Sequence, residues 1–331
     1  MEQRLLGRTG RSVSAVGLGT WQLGADWGDV TESDARAVLE ASAEAGVTFY
    51  DTADVYGDGR SEQIVGRFAA AHPDAGFTVA TKMGRRVDQV PENYTLENFR
   101  GWLDRSRSNL GVDTIDLVQL HCPPSAVIED EATYDALDSL VEEGVIAAYG
   151  ISVETVEQAL AAIAHPHLAT VQIILNALRL KPLEQVLPAA AEAGVGIIAR
   201  VPLASGLLSG KYDENTTFAD DDHRNFNRDG SVFDVGETFS GVPYDAGLQA
   251  AGDFTRLVES SSPGQLTPAQ AAIAWVWQQA GVSTVIPGAR NEEQARSNAA
   301  AGEARNLGVE FMDGVQRIYD ERVRELVHDR W

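Results

Sequence analysis

The chain has one cysteine, Cys122, in 331 residues. That excludes an internal disulfide and any cysteine-cluster metal site. It has three lysines, Lys82, Lys181 and Lys211, so arginine supplies the other 23 of the 26 basic residues. No stretch approaches the ~18 consecutive apolar residues of a membrane span. The first residues, MEQRLLGRTGRSVSAVG, hold no apolar signal-peptide core. Positive charge is scarce overall: 49 acidic residues leave a formal net charge of −23 and a pI near 4.5. Nucleic acids and anionic membrane surfaces need a basic face, so neither is an expected partner. A soluble, cytoplasmic protein is expected. The acidic surface suits a salty cytoplasm, where salt screens self-repulsion. Drift in a GC-rich genome accounts for it equally well.

Hydrophobic content of 44% is enough for a sizeable core. Strand-like runs fall at Ser14–Leu18, Val47–Asp51, Phe77–Lys82, Ile115–His121, Ala147–Ile151, Thr170–Leu175, Gly196–Val201 and Ser283–Pro287. Helical patterns lie between them, roughly at 32–45, 61–71, 95–110, 130–143, 154–163, 183–193, 267–280 and 291–301. Short buried strands alternating with helices predict a parallel sheet with helical crossovers. Eight such units predict one closed (β/α)8 TIM barrel spanning 1–331. RLLGRTGRSVSAVG reads as a β-hairpin plugging one barrel end. Thr267, Pro268 and Gln270 form an N-cap, N1 proline and capping-box glutamine. Two segments are extra: a long connection from Leu203 to about Gly247, and an amphipathic tail helix at about 310–328. Connections of that length are functional or mobile more often than not.

Polar residues end four of these features, where a core would not want them. Asp51 ends VTFYD, Tyr56 follows in ADVYG, Lys82 ends FTVATK and His121 ends TIDLVQLH. On adjacent barrel strands these side chains converge at the face where such barrels carry their chemistry. Lysine is a compact point charge and arginine a planar fork, so a lysine kept at a strand end in a lysine-poor chain marks a site needing the compact charge. Asp51 can be its counter-ion. A nearby ammonium is expected to lower the Tyr56 pKa and make the phenol a suitable acid for a carbonyl oxygen gaining charge. His121 can donate a hydrogen bond to that oxygen. Gly194-Val-Gly196-Ile-Ile-Ala199 fits G-x-G-x-x-A but leads into a strand instead of following one, so it is no dinucleotide fingerprint. Cys122 next to His121 reads as structural, because adjacent strand residues point to opposite faces. Trp21, Trp27 and Phe233 suggest an apolar pocket wall.

The chain resembles the aldo-keto reductases, including their potassium-channel beta-subunit-like branch. The residues that carry the resemblance are GLGTWQLG (17–24), FYDTADVYG (49–57), GRSEQIVG (59–66), ATK (80–82), VQLH (118–121), GIS (150–152), VQ (171–172), PLASGLLSGKY (202–212) and IPGARNEEQARSN (286–298). The resemblance implies metal-free, NAD(P)H-dependent carbonyl reduction with Tyr56 as acid/base, supported by Asp51, Lys82 and His121. It implies that Thr20 and Trp21 line the nicotinamide and substrate pocket, and that Ser152 and Gln172 hold the carboxamide. Pro202, Leu203, Ser205, Gly206 and Lys211 would wrap the pyrophosphate, with backbone amides from Ser205 and Gly206. Gly288, Arg290, Gln294 and Asn298 would hold the adenosine end at a helix N-terminus. Arg290 suggests an NADP 2′-phosphate contact, with NAD as the alternative cofactor. Arg224 either clamps phosphate from the long loop or is a solvated arginine balancing its acidic neighbours. Departures from the family pattern are Arg200 where an aromatic often stacks on nicotinamide, Val153 for an asparagine, and Leu175 where an aromatic is usual. The expected partner is a small carbonyl substrate. Rival readings are a slow-turnover, cofactor-binding regulatory or redox-sensing protein, and a metal-free lyase or hydrolase on the same barrel.

Overall fold

The computed structural model describes residues 1–24, 30–261 and 264–331. The alternating pattern becomes a parallel eight-stranded sheet of β3 (Leu18–Gly19), β4 (Phe49–Asp51), β5 (Thr78–Met83), β6 (Leu117–His121), β7 (Tyr149–Ser152), β8 (Thr170–Ile174), β9 (Gly196–Arg200) and β10 (Val282–Val285), each paired with its sequence neighbour. Two parallel bridges, Val16 with Val285 and Gly19 with Gly288, join the first strand to the last and close the barrel. These strands are short, and all but β3 and β5 are buried along their whole length. Buried Val, Ile and Leu stack on both faces, as strands covered by crossover helices require.

The expected hairpin is present: β1 (Gln3–Leu5) pairs antiparallel with β2 (Ser12–Ser14). Leu6 and Val13 pack against Phe49, Ala80, Leu117 and Ile198 from the barrel strands, so the hairpin plugs that end. Gly7 makes this possible. A Cβ there would lie 2.1 Å from the Ala169 carbonyl oxygen, and its φ is +49°. Helix ends follow local chemistry. Thr267 and Gln270 form the capping box that opens Pro268–Trp277, and Gly194 closes Pro182–Ala193 in the left-handed conformation.

Three expectations are revised. The first strand run splits, because Ser14 belongs to the hairpin and the barrel strand proper begins at Leu18. The long connection holds only short helical turns, then runs into an 18-residue helix, Tyr244–Ser261, that the sequence pattern did not single out. That helix buries Phe254 against Phe311 of the tail helix Val309–Arg322. The tail helix itself breaks at Val323 and resumes as Arg324–Val327. Among the described residues no helix is long and apolar enough to cross a membrane.

Candidate active site

Strand register brings the polar residues together. Asp51 pairs with Gly19 and Ala80, Lys82 with Gln119, His121 with Ser152, and Ser152 with Gln172. Lys82 Nζ donates to Asp51 Oδ2 at 2.5 Å, to the Thr52 carbonyl at 2.9 Å and to Tyr56 Oη at 3.5 Å. Asp51 Oδ1 accepts from Gln119 Nε2 at 3.0 Å and Gln172 Nε2 at 2.9 Å. Both Asp51 oxygens are therefore satisfied. The Thr20 hydroxyl donates to the Asp51 carbonyl at 2.9 Å and fixes the strand end from the other side. Tyr56 is set by a turn in which Gly57, Asp58 and Gly59 all have positive φ. A Cβ on Gly57 would lie 2.2 Å from the Gly24 carbonyl oxygen.

The electrostatics differ from the sequence expectation at one point. Burial pushes the Tyr56 phenol above its ordinary pKa, and Lys82 offsets this only in part. The expected net lowering is not found, because Asp51 already neutralises the ammonium and the phenol is desolvated. Burial works against the Lys82 charge too, but Asp51 and the Tyr56 oxygen override it and hold its pKa above the usual lysine value. His121 stands edge-on to Tyr56, ring centroids 6.0 Å apart. Burial, with Arg85, Lys82 and Arg200 adding to it, drives the imidazole pKa well below the ordinary value. His121 is thus neutral at neutral pH and can donate one hydrogen bond without competing for a proton.

These groups meet a cavity of about 660 Å³. Thr20, Trp21, Asp51, Tyr56, His121, Ser152 and Gln172 line it, and so do Arg200, Pro202, Leu203, Ser205, Gly206, Arg224, Gly288, Arg290 and Gln294. Trp21 stacks near Tyr56 and meets Phe233 edge-on, so the apolar wall is real. Trp27 lies outside the described residues. Two predicted contacts are not part of the lining. Lys211 is exposed on the loop, and Asn298 donates to the Gly288 carbonyl at 3.0 Å. The Gly206 amide also differs from expectation, since it donates to the Leu203 carbonyl at 2.9 Å inside its own turn. The Gln172 amide nitrogen is spent on Asp51 and on Gln119, so its carbonyl oxygen is the edge left for a ligand.

Arg200 does not lie as a free plane. It donates to Glu237, to Glu154 Oε2 at 2.9 Å and to the Val153 carbonyl at 3.1 Å. Burial opposes both charges, yet the guanidinium holds the Glu154 carboxyl down at about 2. Arg224 is not the solvated loop residue of one reading. Only 15% of its side chain is exposed, and it binds Asp222 through Nε at 2.8 Å and a terminal nitrogen at 2.5 Å. Arg290 reaches the same carboxylate at 4.0 Å, so one aspartate gathers two arginines at the cavity wall.

Cys122 is only partly buried. It lies past the end of β6 with φ +49°, so strand alternation does not govern it. Burial pushes its thiol up to about 12, which keeps it protonated and unsuited to nucleophilic chemistry. The sequence reading missed Gln119, Arg85, Glu154, Glu237 and Asp222. Gln119 had a signal, because it precedes His121 by two residues and so shares its strand face. The loop carboxylates Glu237 and Asp222 had none.

The chain belongs to the aldo/keto reductase family, whose model matches residues 15–320. Over 96% of each chain it is 29% identical to the uncharacterised oxidoreductase YqkF of Bacillus subtilis. It is 30% identical to a probable voltage-gated potassium channel subunit beta of Oryza sativa, over 91% of each chain. Among solved structures it is similar to the glycerol dehydrogenase AKR11B4 of Gluconobacter oxydans, with 30% identity, a TM-score of 0.79, and coverage of 97% of this chain and 96% of the other.

Proposed function

We propose that the chain is a single-domain, NADPH-dependent reductase of aldehydes or ketones. The observation that carries this is the Lys82–Asp51 pair beneath the Tyr56 hydroxyl, with neutral His121 beside it on the cavity wall. The cavity fits a nicotinamide dinucleotide. Its size is within the range of small-molecule sites, its wall carries two arginines for phosphate, and Ser152 and Gln172 lie near the catalytic group. When bound, NADPH supplies the hydride that reduces the carbonyl carbon.

The protein residues do the rest. The Tyr56 hydroxyl gives its proton to the carbonyl oxygen as negative charge develops there. Lys82 stabilises the resulting phenolate. Asp51, held by Gln119 and Gln172, keeps Lys82 charged and aimed. His121 donates a hydrogen bond to the carbonyl oxygen and orients it. A raised Tyr56 pKa suits this direction, since the phenol is fully protonated before reaction. Arg290 and Arg224 are the candidates for the 2′-phosphate and pyrophosphate. With its Gly206 amide spent on Leu203, the 202–206 turn would offer the Ser205 amide as its donor.

The test is a titration with NADPH and, separately, NADH, followed by quenching of tryptophan fluorescence. Submicromolar NADPH binding, much weaker NADH binding and turnover of simple aldehydes are the expected results. No binding of either nucleotide refutes the reading. A second reading, a slow-turnover cofactor-binding regulator, draws on the clamped Arg200 at the position of the usual aromatic and on the similarity to the rice channel subunit. It is favoured if NADPH binds tightly and one hydride transfers per site but turnover stalls.

A further inference from the structure

Next to the proposed proton donor is a cation that the reduction chemistry does not use. Arg85 follows β5 by two residues, after Gly84 at φ +109°, and lines the cavity with Tyr56 and His121. Its surroundings leave it poorly matched. Its Nε is buried with no hydrogen-bond partner. Its ion pair, to Glu154 Oε1, is long at 3.7 Å, and that oxygen is likewise without a hydrogen bond. The carboxylates nearby are committed elsewhere. Glu154 Oε2 and Glu237 Oε1 both accept from Arg200.

The adjacent Arg86 shows the contrast. Its Nη1 binds Asp58 at 2.5 Å and the Asp54 carbonyl at 3.2 Å, which ties it to the turn around Tyr56. The loop that carries Arg85 is anchored nearby. Gln89 ties the loop that follows to the His121 and Cys122 carbonyls, each at 3.0 Å. A guanidinium fork that is three-quarters buried, on an anchored loop and short of acceptors is a carboxylate receptor in shape and charge.

We propose that Arg85 is a substrate-anchoring residue and that the preferred substrates are carbonyl compounds bearing a carboxylate. This rests on the reductase reading. One hydride from NADPH and one proton from Tyr56 convert such an oxo acid into the corresponding hydroxy acid, while its carboxylate stays on Arg85. The overall charge of −23 repels anions at long range. Salt screens that field over a Debye length of ~8–10 Å, so contact with Arg85 decides the preference.

The experiment compares two probes that differ in one charge, 4-formylbenzoate and methyl 4-formylbenzoate, with NADPH and the full-length protein. The wild type is expected to favour the acid in kcat/KM. Arg85→Met should lower the acid-to-ester ratio by about tenfold or more, the size of one lost charge-assisted hydrogen bond or pair of them, chiefly through KM. Arg85→Lys keeps the charge but loses the fork, and should recover part of the ratio. An unchanged ratio in Arg85→Met overturns the proposal. If neither probe turns over, the reductase reading fails on its own terms. Equilibrium binding of 4-formylbenzoate to wild type and Arg85→Met then decides the anchor separately. Weaker binding to the variant supports it, and equal binding overturns it.

Discussion

Two buried ion centres meet the same cavity, and they are built differently. In the first, Lys82 and Asp51 sit on adjacent strands, and two glutamines, from β6 and β8, complete the aspartate. In the second, Arg200 at the end of β9 is gripped by Glu154, just past β7, and by Glu237 from the long connection. Around it, Arg200 Nε, Arg179 Nε and Glu154 Oε1 have no hydrogen-bond partners. Buried charges are stable only when paired and fully hydrogen-bonded. The first centre meets that standard through sheet register alone. The second meets it partly, and depends on a loop staying in place. The difference separates chemistry fixed by the barrel from shape and selectivity imposed by loops.

The largest effect should come from the first centre. Tyr56→Phe is expected to reduce kcat by about 10²–10⁴-fold, the usual contribution of general acid catalysis, while NADPH quenching of tryptophan fluorescence survives. Wild-type turnover in that variant would remove Tyr56 from the mechanism. Lys82→Met leaves Asp51 buried without its cation. It should cost roughly 3–5 kcal/mol of stability in urea unfolding, as well as most of the activity.

A further buried carboxyl sets the limit of the comparison, because no cation among the described residues contacts it. Asp54 is fully buried with both oxygens unpartnered, and burial, with Glu62 adding to it, pushes its pKa up to about 7. Arg86 and Arg105 offset this only in part. The folded value lies above the unfolded one, so Asp54 favours folding most below about pH 4. That contribution is lost as the pH rises to about 7 and is gone above it. Asp54→Asn should therefore stabilise the protein at pH 8 by a few kcal/mol, at about 1.4 kcal/mol per pKa unit, and leave it unchanged near pH 4. Thermal unfolding at the two pH values reads this directly. An equal shift at both would show that the carboxyl is not titrating.

The smallest effect is expected at the loop arm of the second centre. Glu237→Gln keeps the shape and leaves Arg200 with Glu154. A loss of about 1–3 kcal/mol, with faster proteolysis confined to 203–247, would show that the ion pair pins the loop. Cleavage at the wild-type rate would mean that the loop is held by Ser205 and its aromatic contacts instead.

Much of this was legible in the sequence, for a physical reason. A barrel strand is short and buried, so a charged residue at its end stands out against the pattern, and Asp51, Lys82 and His121 were found that way. The eight-unit alternation was legible because parallel strands need long crossovers. The helix Tyr244–Ser261 escaped because Gly247 and Gly252 interrupt its pattern and the residue before it, Pro243, has no capping side chain. The sign of the Tyr56 shift escaped because it weighs desolvation against a cation already neutralised, and sequence shows only the cation. The pairing of Arg200 with Glu237 joins residues 37 positions apart through a loop, and no periodicity encodes such a contact.

The seam of the barrel has a further consequence, for the order of biosynthesis. Gly19 pairs with Gly288, so the sheet is an open ribbon until residue 288 has left the ribosome. Asp51, Tyr56, Lys82 and His121 are all made by residue 121, while Arg290 and Gln294 follow only after the last barrel strand. A nascent chain therefore carries its reactive groups long before it can enclose a ligand beside them. On the proposed function, activity would appear only with closure, as one event.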